Sequence, residues 1–184
     1  DLRVASEVDD LTGLLNRRAL LAAVDAQLNH ARLTHTGVGV LFLDLDDLKH
    51  VNDRFGHTAG DAALQAVARG IRAVLPGETG AAGRWGGDEF VVAVADLDDP
   101  VALTELAQRA QVAVAGPLRF GSHELDLSPS VTVGGALFDG ARPDAVADDA
   151  QRMVSLADWE MVAEKRQRKG GLRVRPSASL SVPD

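Results

Sequence analysis

The chain has 184 residues, a formal net charge of −8 at pH 7 and no cysteine, and 46% of its residues are apolar. That is enough for one domain with a sizeable core and excludes a disordered polymer. The acidic balance argues against nonspecific binding to nucleic acid or to an anionic membrane, no apolar stretch reaches membrane-span length, and no disulfide can form.

Residues 1–9 read as the end of a connector to an upstream segment, and a start without methionine reads as an excised fragment. Asn16–Arg32 is predicted to be an amphipathic helix with Leu20, Leu21, Val24 and Leu28 on one face and Asn16 as N-cap. The apolar run Val38–Leu43 is predicted to be a central strand ending at Asp44. A short helix over Leu48–Phe55 follows, then a longer one over Ala62–Leu75, whose inner face is Leu64, Val67, Ile71 and Val74, stopped by Pro76-Gly77. Ala81–Trp85 and Glu89–Ala95 form a hairpin, Pro100–Val114 a helix, and Leu118–Phe120, Glu124–Leu127 and Ser130–Leu137 strands. Ala145–Lys169 is the last helix, ended by Gly170-Gly171, with a small strand at Leu172–Val174 and a frayed tail over 176–184. Helices on a mostly antiparallel central sheet make an α+β fold, in a strand and helix order similar to the palm of nucleotide cyclases and polymerases.

Two acidic pieces stand out. In Arg84-Trp85-Gly86-Gly87-Asp88-Glu89-Phe90, a glycine turn presents two carboxylates at the start of an apolar strand. In Asp44-Leu45-Asp46-Asp47, carboxylates sit at a strand end. If the two strands are neighbours, Asp44 and Asp88 face each other. Hard oxygen ligands without a Cys or His cage suit Mg²⁺ better than Zn²⁺, and paired carboxylates bridging two Mg²⁺ suit in-line attack on phosphorus. Each piece alone also has a bland reading: a solvated hairpin turn, and a helix start where Asp46 or Asp47 caps N–H groups.

These pieces resemble the GGDEF family of bacterial diguanylate cyclases, and the resemblance runs from about Asp9 to Val174. Asp9–Arg18 is similar to the family's opening motif D-x-L-T-G-L-x-N-R-R, whose role is to anchor the connector and couple it to an upstream sensor. The resemblance implies a catalytic domain over 10–175. Within it Asp44, the carbonyl of Leu45 and Asp88 bind metal, Asp88 is also the proton acceptor, and Glu89 adds charge to the same site. The backbone at Asp47-Leu48-Lys49 meets phosphates at a helix start, and Lys49 stabilises the transition state. Asn52 and Asp61 match the family's guanine-reading pair: guanine's N1–H and N2–H₂ suit a carboxylate acceptor, and adenine presents the wrong pattern. The alternatives are a helix-surface role for Asn52 and an N-cap for Asp61. His57 reads as a structural hydrogen-bonder near the base.

Two departures accompany the match. The family's inhibitory R-x-x-D is replaced by Gly77-Glu78-Thr79-Gly80, which implies no product feedback there. In the last helix the family tyrosine is Val162; Lys165 matches the phosphate-binding lysine, and Lys169 stands where arginine is expected, without its bidentate fork. Cations at a helix C-terminus also complement the helix dipole.

The function implied is condensation of two GTP into cyclic di-GMP plus two pyrophosphates across a homodimer, with Mg²⁺ or Mn²⁺, in a cytoplasmic domain whose parent protein carries an upstream sensor and could be membrane-anchored. The alternative is a catalytically weak GTP-binding regulatory module. A palm acting on other nucleotides is disfavoured by Asp61, and polynucleotide templates by the acidic surface.

Overall fold

The structure is a computed structural model that describes residues 6–120, 123–125, 128–142, 149–167 and 174–176. Five strands form one sheet in the order β2 (Gly80–Gly86), β3 (Glu89–Ala95), β1 (Gly37–Leu45), β6 (Val131–Asp139), β7 (Val174–Pro176). The first four pair antiparallel, and the short β7 pairs parallel to β6. A two-stranded ribbon, β4 (Leu118–Phe120) and β5 (His123–Leu125), stands apart.

Every residue of β1 is buried. This explains its unbroken apolar run, because a strand covered on both faces has no polar side to alternate with. Leu41, Leu43 and Leu45 face a core shared with α3 (His57–Val74) and α4 (Pro100–Val114), through Leu64, Val67, Ile71, Leu103 and Leu106. Val38, Val40 and Phe42 face the opposite core, closed by α1 (Arg17–Thr34) and α5 (Ala150–Gln167) through Leu20, Val24, Leu28, Met153 and Met161. The α+β architecture expected from the sequence is the one observed.

Several predicted elements occur as read. Asn16 Oδ1 accepts the Ala19 N–H at 3.0 Å and caps α1. Both β3 and α4 span the residues expected, with Asp99 capping α4 at the Val101 N–H and Pro100 in its first turn. The helix expected from Ala62 begins five residues earlier, at His57. Gly56, at φ +87, turns the chain directly from α2 (Leu48–Phe55) into α3. The inner residues of that first turn, Ala59 and Gly60, are too small to register as an apolar stripe.

The expected helix cap by Asp46 or Asp47 is not found. Asp47 takes a left-handed φ of 56 and its side chain caps nothing. Asp46 is drawn across to β6, accepting from Ser130 Oγ at 2.8 Å and Thr132 Oγ1 at 2.7 Å. Pro176, expected in the tail, is the last residue of β7. Among the described residues no helix is long and apolar enough to cross a membrane.

Candidate active site

The pairing of β1 with β3 builds the site. In the antiparallel register Leu43 lies opposite Phe90 and Asp44 opposite Glu89. One residue on, the Leu45 N–H donates to the Asp88 carbonyl at 3.0 Å, which ties the turn to the end of β1. Asp44 and Asp88 thus meet at one end of the sheet, as the sequence suggested.

The turn itself is held by Arg84. Its Nε and Nη2 donate to the Gly87 carbonyl at 3.0 and 2.7 Å, and Nη1 pairs with Asp9 at 3.4 Å. Gly87 has φ +46, a conformation that favours glycine. Asp9 in turn accepts from the Thr12 N–H at 2.9 Å and from Thr12 Oγ1 at 2.7 Å. Burial alone would raise the Asp9 pKa, but the bonds from Thr12 and the charge of Arg84 outweigh it and hold the carboxyl below its ordinary value. One arginine therefore joins the start of the domain to the carboxylate turn.

Electrostatics at the sheet end are strained by like charge. Burial pushes Asp44 up, Lys165 pulls it down, and Asp88 and Asp46 push it up again; the balance lies above its ordinary value. Glu89 is raised by burial and then by Asp158, Asp44 and Asp88. Asp158 is raised by its own burial. Only 8% of Asp44 is exposed, so the crowding is not relieved by water.

The cation answering this charge is Lys165, whose Nζ binds Asp44 Oδ1. Lys165 also lines a cleft with Asp46, Asp47, Gln111 and Thr132. The α5 backbone that carries it is pressed onto β6: a Cβ at Gly134 would lie 2.1 Å from the Met161 nitrogen and 2.3 Å from the Ala157 oxygen. Asp158 precedes Lys165 by two helical turns and shares its face.

The other candidates lie along α2 and α3. Asp47 and Lys49 are exposed, Leu48 is half-buried, and Lys49 makes no ion pair among the described residues. Asn52 is half-buried against Gly60, the residue before Asp61 in α3. Asp61 sits inside α3, which removes the N-cap alternative. His57 is exposed at the first position of α3. Lys169 lies outside the described residues. Gly80 opens β2, with space for a Cβ closed by the Pro76 carbonyl at 2.4 Å.

All the acidic groups here offer oxygen, the donor set of a hard divalent cation, and mutually repelling carboxylates fit such a charge. Among the described residues no three carboxylate, imidazole or thiolate groups converge into a ready-made cage.

Comparison with known proteins decides the family. The profile described as "Diguanylate cyclase, GGDEF domain" matches residues 6–170. The chain belongs to the GGDEF family. It is similar to the diguanylate cyclase TpbB of Pseudomonas aeruginosa, 35% identical over 95% of this chain and 38% of that protein. It is also similar to the cyclic di-GMP phosphodiesterase PdeR of Escherichia coli, 34% identical over 92% of this chain and 24% of that one. The chain thus spans well under half the length of these curated relatives. The solved GGDEF domain of the Pseudomonas protein superposes with a TM-score of 0.80 at 34% identity, covering 91% of this chain and 93% of that one.

Asp158 was not among the residues that the sequence pointed to. Its signal was present: it lies seven residues before Lys165, on the same face of the last helix. Only the packing of α5 brings it to Glu89.

Proposed function

We propose that this GGDEF domain is a diguanylate cyclase that condenses two GTP into cyclic di-GMP and two pyrophosphates across a dimer of domains. The observation that carries the reading is the β1–β3 register, which sets Asp44 against Glu89 with Asp88 at the adjoining turn. Family membership and the diguanylate cyclase TpbB support it.

In this mechanism Asp44, Asp88 and the Leu45 carbonyl would hold Mg²⁺ or Mn²⁺, and Glu89 would add negative charge. The ion, when bound, lowers the pKa of the attacking 3′-hydroxyl and neutralises charge on the pyrophosphate. Asp88 takes the hydroxyl proton as the 3′-oxygen bonds to the α-phosphorus of the second nucleotide and the bond to pyrophosphate breaks. The N–H groups at Asp47, Leu48 and Lys49 and the ammonium groups of Lys49, Lys165 and Lys169 meet phosphate charge. Asn52 and Asp61 select guanine, with His57 beside the base. Lys165, paired with Asp44 in this structure, would also be within the site to meet triphosphate charge.

One domain holds one nucleotide, so two must meet for either phosphodiester to form. Initial rate per domain is therefore expected to fall steeply on dilution, followed by chromatography of cyclic di-GMP. A rate per domain constant far below the dimer affinity would refute the dimer mechanism.

The second reading, a catalytically weak GTP-binding regulatory module, is favoured by Val162 in place of the family tyrosine. Such a module binds GTP at every dilution and forms no product.

A further inference from the structure

Helices α2 and α3 touch at Gly60. A Cβ built on Gly60 would lie 2.0 Å from Asn52 Oδ1, 2.9 Å from Asn52 Cγ and 3.2 Å from Leu48 Cδ1. Gly60 is buried inside a helix, where glycine is a poorer helix former than alanine. Its φ is not among the positive values that would demand glycine. The backbone therefore does not require glycine here; the room for Asn52 does.

A second observation bears on the same contact. Asn52 Oδ1 is buried and accepts no hydrogen bond among the described residues. A buried acceptor without a donor is costly to keep, and such groups call for an explanation in a site. A carboxamide wedged by one end is pre-placed, and its other end is left for a ligand. Asp61, the next residue after Gly60, supplies the partner carboxylate.

We propose that Gly60 is a positioning residue for nucleobase recognition: its missing side chain is the slot that holds the Asn52 carboxamide beside Asp61. This rests on the reading of Asn52 and Asp61 as the guanine-selecting pair. An added methyl group meets the end of a short side chain, so Asn52 rotates out and the helices stay packed. The fold survives, and purine selection is lost.

The test compares Gly60→Ala, Asn52→Ala and the double variant with the parent chain, using thermal melts and steady-state kinetics with GTP and ATP. Gly60→Ala is expected to melt at or above the parent temperature. Its KM for GTP rises about tenfold to a hundredfold, the size of one lost hydrogen bond to a ligand, and the preference over ATP falls with it. Its kcat stays within about threefold, because a residue acting through base binding does not touch the reacting atoms. The double variant matches Asn52→Ala alone, since both changes remove one contact.

A parent-like KM in Gly60→Ala overturns the proposal, as does an additive double variant. If Gly60→Ala melts well below the parent, removing the amide in the double variant must restore the melt, and failure to restore it also overturns the proposal. Should the parent bind GTP without turning over, the same comparison is read by calorimetry of GTP and ATP binding. A parent binding neither nucleotide sinks the functional reading and this inference together; a GTP-selective parent with an indifferent Gly60→Ala sinks the inference alone.

Discussion

Replacing Gly134 by alanine tests how α5 is seated on the sheet. The new Cβ would stand 2.1 Å from the Met161 nitrogen and 2.3 Å from the Ala157 oxygen. Both are backbone atoms, so no rotamer relieves the clash and the helix must move off by roughly 1.5 Å to reach ordinary contact. Overpacking of this kind costs about 1–3 kcal/mol, and the backbone partners place it at the upper end. In a domain of this size about 3 kcal/mol lowers the melting temperature by roughly 6–12 °C. The moving helix carries Lys165, so the ion pair with Asp44 is expected to break as well. Differential scanning calorimetry gives the first effect and the KM for GTP the second. Gly116→Ala is the control, since a Cβ there meets nothing within 4 Å. If Gly134→Ala melts with the parent and keeps its KM, the seating argument is wrong.

Three further outcomes are expected. Asp9→Asn should lower the melt near neutral pH and weaken GTP turnover, because Arg84 loses the partner that holds it on the Gly87 carbonyl. The Asp9 pKa is depressed, so its contribution is present above the unfolded value, ~4, and is lost as pH falls through the folded one; parent and variant melts should converge in acid. Asp158→Asn should do the reverse. A raised carboxylate binds more protons folded than unfolded, so stability falls as pH rises; the variant should melt above the metal-free parent at pH ~7 and coincide with it in acid below about pH 4. Lys165→Met should melt lower without metal and show a larger upward shift on adding Mg²⁺, read by scanning fluorimetry, because nothing then competes for Asp44; a smaller shift than the parent's would count against that competition.

Sequence patterns carried the local features well. The hairpin was legible from Gly86-Gly87 and the apolar run that follows, and α4 as the span Pro100–Val114. Strand β1 was legible as an unbroken apolar run, because both its faces are covered. What escaped depended on contacts distant in sequence. Asp46 looked like a cap because its partners Ser130 and Thr132 lie 84 and 86 residues away. Asp158 was an ordinary helix residue until the close approach at Gly134 set α5 against the sheet. The first turn of α3 was missed because Ala59 and Gly60 are buried with almost no apolar side chain. In the site, Asp44, Asp88 and Glu89 followed from strand ends alone, and the Asn52–Asp61 pair came from the resemblance.

The most direct measurement of the central claim is chromatographic product analysis after incubating concentrated protein with GTP and Mg²⁺, beside Asp88→Ala. The account predicts cyclic di-GMP and pyrophosphate from the parent chain and none from the variant, with both proteins melting as folded domains. Product formed equally by Asp88→Ala would contradict the assignment of the carboxylate turn as the reacting centre. GTP bound without product, even at high protein concentration and with a fused coiled-coil dimer, would make the domain a nucleotide sensor instead.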